Sequence, residues 1–71
     1  MLNDFLEEYK KEGYEFRFSW DPSERIMDAE IEKDVGKNQY HCVRRTLPYE
    51  CLTNEELLIS ELRKIIEKIE E

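Results

Sequence analysis

The sequence predicts an α+β fold in the order helix, three-stranded antiparallel sheet, helix (αβββα), with both helices on one face of the sheet. Three observations carry this expectation. Leu2, Phe5, Leu6 and Tyr9 recur at the spacing of one helix face. Three stretches between residues 14 and 46, bounded by turn signals, then alternate their side chains with period two. Beyond Thr53 a second helical stripe, Leu58, Leu62, Ile65 and Ile69, runs nearly to the last residue.

The first helix is expected over roughly residues 3 to 12. Asn3 or Asp4 would cap it, Lys10 and Lys11 suit its negative C-terminal end, and Gly13 offers a left-handed stop. In the first strand Tyr14, Phe16, Phe18 and Trp20 alternate with Glu15, Arg17, Ser19 and Asp21. Asp21-Pro22-Ser23-Glu24 reads as a turn, since proline is set for the second turn position. The second strand has chemically opposite faces. Met27, Ala29 and Ile31 are apolar, whereas Asp28, Glu30, Glu32 and Asp34 are all carboxylates. Gly36-Lys37-Asn38 makes the next hairpin turn.

Gln39 to Thr46 is the third strand. Tyr40, Cys42 and Arg44 share one face and His41, Val43 and Arg45 the other, and the pattern leaves open which is buried. Either way one arginine lies across from the acidic row. Leu47 to Leu52 is expected as a loop around Pro48. In the last helix Thr53 is the expected N-cap, Glu56 completes a capping box, and Leu52 with Leu57 forms a hydrophobic staple. This arrangement would bury Phe16, Phe18, Trp20, Ala29, Ile31 and the two helical stripes, and leave the other sheet face in water.

Seventy-one residues make one domain, 1–71. A chain of this size buries only about 60% of its unfolded surface, so the core is thin. Eighteen acids against eleven bases give a net charge of −7 and a pI near 4.7. Direct binding of DNA, RNA or an anionic membrane is therefore not expected, since phosphate binding needs a basic footprint. Attraction to a basic protein is. The first residues lack the basic and apolar regions of a signal peptide, and the longest apolar run is Leu57-Leu58-Ile59, too short for a membrane span. The expected location is cytoplasmic, with Cys42 and Cys51 reduced, although a bridge between them stays open on sequence.

The acidic row is the first candidate for a site. Four like charges along one strand face repel, and no fold requires them. The row is either an ordinary solvated face or a patch for a basic partner, with Glu15, Asp28, Glu30, Glu32 and Asp34 as contact residues. Trp20, at a strand end beside a turn, is the aromatic most available to a partner. No metal or cofactor site is expected: His41, Cys42 and Cys51 are too few and too scattered for zinc. Cys42 and His41, adjacent on a strand, point to opposite faces and cannot form a nucleophile pair. Carboxylates are plentiful, but a two-layer domain this small has little room for the desolvated cleft acid–base catalysis needs, and two glycines make no phosphate loop. The chain is not expected to be an enzyme. The last helix exceeds what three strands cover, so a homodimer through Leu58, Leu62, Ile65 and Ile69, or docking through them, is the alternative reading.

Two resemblances bear on this choice. The element order is similar to that of the double-stranded-RNA-binding domain. That family grips phosphates with basic residues at the start of its second helix, where this chain has Thr53-Asn54-Glu55-Glu56. The resemblance extends to topology and its RNA-binding function is contradicted. Asn3-Asp4-Phe5-Leu6, Lys10-Lys11-Glu12-Gly13-Tyr14 and Gly36-Lys37-Asn38-Gln39-Tyr40 resemble, over roughly the first 45 residues, the small acidic phage proteins of the type II-A anti-CRISPR group. That resemblance implies inhibition of a Cas9-like nuclease by carboxylates seated in the basic groove that reads DNA. Asp28, Glu30, Glu32 and Asp34 would take that role, with Glu15 beside them. The leading expectation is thus a phage or mobile-element inhibitor that mimics nucleic acid toward a basic, nucleic-acid-binding protein.

Overall fold

In the computed structural model, which describes all 71 residues, the chain runs α1 (Leu2–Lys11), β1 (Tyr14–Asp21), β2 (Ile26–Gly36), β3 (Gln39–Leu47), a 3-10 helix (Tyr49–Leu52) and α2 (Glu55–Glu70). The three strands form one open antiparallel sheet in the order β1-β2-β3. Both helices lie on one face, as the αβββα reading expects. They start at the same end and run side by side. The Leu2 amide donates to Glu55 at 2.6 Å near the two helix starts, and the Tyr14 hydroxyl donates to Glu70 at 2.7 Å at the other end.

The register pins the faces. Phe16 lies opposite Ile31 and Ile31 opposite Val43, so these share the helix side with Met27, Ala29 and Leu47. The third strand's buried face, open on sequence, is therefore the one bearing Val43. His41 and Arg45 share that side but stay exposed at the free edge. Tyr14, Ile31 and Leu62 are fully buried, and Met27, Ala29, Leu47, Cys51 and Phe5 complete the centre of the core. Phe16 and Phe18 are half-buried.

Several expected details change. Neither Asn3 nor Asp4 caps α1: the cap position is Met1, with no side-chain bond, and the orphan Leu2 amide finds Glu55 instead. Gly13, with φ +95°, does follow the end of α1, and its amide donates to the Lys10 carbonyl. The connection after β3 is a 3-10 helix rather than a loop, and Thr53 finishes it by donating its amide to the Glu50 carbonyl. Thr53 is thus already used, and the N-cap of α2 is Asn54, whose side chain accepts from the Leu57 amide at 3.1 Å. The capping box through Glu56 does not form. Trp20, set on the core face by alternation and singled out at its strand end as the aromatic most available to a partner, is not buried with Phe16 and Phe18 but 56% exposed.

The apolar stripe of α2 leaves no surplus. Leu58, Leu62, Ile65 and Ile69 are all buried within the single chain, together with Ile59 and Ile66. A homodimer through those four residues has no exposed stripe to use. The helix is 16 residues, about 24 Å, and packs on β2 and β3, with its last turn reaching Tyr14 at the start of β1.

Asn54→Ala is expected to cost about 1 kcal/mol and Thr53→Ala a few tenths, because only Asn54 holds an α2 amide. Urea denaturation of the two variants measures this, and a larger loss for Thr53→Ala would contradict the assignment.

Candidate functional site

The open face is assembled from alternate residues of all three strands. Glu15, Arg17, Ser19 and Asp21 come from β1. Asp28, Glu30, Glu32 and Asp34 come from β2, and Tyr40, Cys42, Arg44 and Thr46 from β3. All five expected carboxylates therefore share one surface. Trp20 does not join them: it pairs with Met27 and projects on the helix side.

The acidic row is threaded by two arginines. Arg17 stands opposite Glu30 across the β1–β2 ladder and reaches Glu32 at 3.0 Å, Glu30 at 3.4 Å and Glu15 at 3.8 Å. Its hydrogen bond and charge contact with Glu32 raise the guanidinium further above its ordinary value. Arg44, opposite Glu30 on the β3 side, reaches Asp28 at 3.2 Å. Asp28 also accepts from the Thr46 hydroxyl at 2.8 Å, and that bond, with Arg44 next, lowers its carboxyl below the usual range. Each of these exposed pairs contributes under about 1 kcal/mol, so they relieve repulsion more than they hold the fold together.

Relief is uneven. Glu15 has only the long contact to Arg17, and Asp34 pairs with no cation. One Asp34 oxygen accepts the Gly36 amide at 2.8 Å and so fixes the bulge before the hairpin turn. Lys37 and Asn38 form that turn with φ of 54° and 60°, the left-handed geometry of a two-residue hairpin loop. Glu15, Glu32 and Asp34 line an open cleft of about 340 Å³ at this end of the sheet, with Lys10 and Tyr40 on its rim.

Neither cysteine is prepared for chemistry. Cys42 is exposed on the open face and donates to Glu30 at 3.3 Å. The bond and the surrounding carboxylates raise its pKa and keep it protonated. Cys51 is buried in the core and is raised by that burial; the two thiols are unpaired. No three His, Cys, Asp or Glu side chains converge as metal ligands, and no helix is long and apolar enough to cross a membrane.

Tyr14 is the other strongly perturbed group. Burial, then its bond to the Glu70 carboxylate, raises its pKa well above the ordinary value. Both groups link folding to pH. Asp28, lowered in the fold, contributes stability that is present above about pH 4 and is lost as pH falls through its folded value. Tyr14, raised in the fold, contributes stability that is present below about pH 10 and is lost as pH climbs. Thermal melts across pH should therefore show a shallower acid slope for Asp28→Asn and a shallower alkaline slope for Tyr14→Phe. Slopes unchanged from the parent would show that these contacts do not distinguish folded from unfolded protein.

No protein-family model, curated protein or solved structure matches this chain.

Proposed function

We propose that this protein acts by binding, and that its open sheet face engages a basic, nucleic-acid-handling protein where that protein would hold phosphates. The observation that carries this is six carboxylates, the five expected ones and Asp21, on an uncovered face with only two arginines between them. Successive β2 carboxylates are spaced by two strand residues, about 6.7 Å, which is about twice the 3.4 Å axial rise of a DNA strand. A sheet holds them at that spacing without prior ordering, so a groove lined by Lys and Arg meets charge already in place. The cleft lined by Glu15, Glu32 and Asp34 admits a protruding cationic side chain, and exposed Tyr40 supplies an aromatic wall beside it.

In this reading Arg17 and Arg44 are internal counterions that a partner's cations displace. The resemblance to type II-A anti-CRISPR proteins makes a phage or mobile-element inhibitor the natural setting, and a Cas9-like nuclease the first partner to try. Docking through the last helix draws no support from a stripe that is already buried.

Glu30→Gln with Glu32→Gln removes two charges while keeping side-chain size, and should weaken binding to such a nuclease tenfold or more, about 1.4 kcal/mol. Arg17→Gln should strengthen binding by a few-fold, because it frees Glu30 and Glu32 from a pair worth under about 1 kcal/mol. Binding should fall steeply with salt and be competed by duplex DNA. Immobilised protein titrated with nuclease measures all three. Affinity indifferent to both sets of substitutions would make the acidic face ordinary solvated surface.

A further inference from the structure

The free edge of β1 combines three properties that the open-face reading does not use. First, its outward backbone is unpaired. The Asp34 amide donates to the Gly13 carbonyl at 3.0 Å, which makes Gly13 and Asp34 a hydrogen-bonded pair of the antiparallel ladder. Alternation then turns the amides and carbonyls of Glu15, Arg17 and Ser19 toward β2, and those of Phe16, Phe18 and Trp20 away from the sheet. Second, aromatic surface lies beside these free groups. Trp20 is 56% exposed although its neighbour across the ladder, Met27, is only 3% exposed. The cause is length: α1 covers about 15 Å while β1 extends about 27 Å, so the second half of β1 runs past the helix start. Third, the strand carries both signs of charge on its open side, Arg17 and Asp21.

We propose that this edge pairs with the same edge of a second copy, antiparallel about a two-fold axis through Ser19, to join two three-stranded sheets into one of six. The axis position follows from charge and cover. Through Ser19, Arg17 stands opposite Asp21 of the second copy, twice, and Phe18 stands opposite Trp20 in mutually hydrogen-bonding positions. An axis at Arg17 sets that guanidinium against itself, and one at Phe18 sets Glu15 against Asp21. An axis at Phe16 matches Glu15 with Arg17 but leaves Trp20 in water. The other edge, β3, carries His41, Arg44 and Arg45 without a carboxylate, so its self-pairing only gathers cations. The chosen axis lies beyond the start of α1, which keeps the two helix layers apart. The proposal stands independently of the acidic-face reading, although a joined sheet would present two such faces side by side.

The test is cross-linking of the full chain. Ser19→Cys, with Cys42→Ser to remove the other exposed thiol, places two thiols at the axis in a closely spaced pair, within reach of a disulfide. Mild oxidation should give a species of twice 8.7 kDa on a non-reducing gel, whereas Glu15→Cys in the same background should not. In sedimentation equilibrium the parent mass should rise from 8.7 kDa toward twice that with concentration. Trp20→Lys should hold the mass at 8.7 kDa without changing the circular dichroism, since Trp20 is exposed in the single chain. A parent chain monomeric at every concentration, or equal cross-linking at positions 15 and 19, would overturn the proposal.

Discussion

The central strand carries two incompatible faces, and the remaining elements are arranged around keeping them apart. Met27, Ala29 and Ile31 must leave water while Asp28, Glu30, Glu32 and Asp34 must stay in it. A slip of one residue in either ladder would exchange these sets and bury carboxylates without partners, at a cost far above the stability of a small domain. Register is therefore fixed by β2 itself, and both hairpins adapt to it. Val35 is accommodated in a bulge between Asp34 and Gly36, and Asp21 anchors the first turn by accepting from the Ser23 amide and hydroxyl. The helices then have one place to go. Leu62 and Ile65 of α2 and Phe5 of α1 close the apolar side, and nothing in the chain is left to cover the other.

That uncovered side would be self-repelling if its charges were left alone. Glu15 faces Glu32 directly across the first ladder, a like-charge pair that costs stability. With four acids on the centre strand and an arginine on each edge strand, Arg17 touches three anions and Arg44 one. The compensation is shallow because every pair is solvated. Shallow compensation suits a binding face: the fold does not depend on the pairs, so a partner's cations can replace the internal ones at small cost. It also separates the roles, since the core can remain intact while the face is recharged.

Much of this was legible because it depends on periodicity. Alternation in residues 14–20 and 26–34 located both strands and sorted the carboxylates onto one face, and the recurrence of Leu58, Leu62, Ile65 and Ile69 located α2. What failed depends on distance and competition. Period two assigned Trp20 to the apolar face correctly but could not say that α1 stops short of it. Thr53 and Asn54 are both good caps, and the choice fell to Asn54 only because Thr53 closes the preceding 3-10 helix. The partner of the first α1 amide, Glu55, is 53 residues away and leaves no local signal. In β3 both faces carry an arginine, so only pairing with Ile31 shows that Val43 turns inward. The arginines were visible as residues, but the extent to which Arg17 and Arg44 thread the acidic row required the register.

The central claim is that the open sheet face, and not the acidic character of the whole chain, is the binding surface. Acids on α1 and α2, such as Glu7, Glu8, Glu56 and Glu67, give a built-in comparison, because they too are exposed. The most direct measurement is a heteronuclear NMR titration of the labelled protein with a short arginine-rich peptide at moderate salt. Shifts should concentrate on Glu15, Arg17, Glu30, Glu32, Tyr40 and Arg44, with the helix residues nearly still. Shifts spread evenly over the helical carboxylates would contradict it and reduce the acidic row to ordinary surface charge.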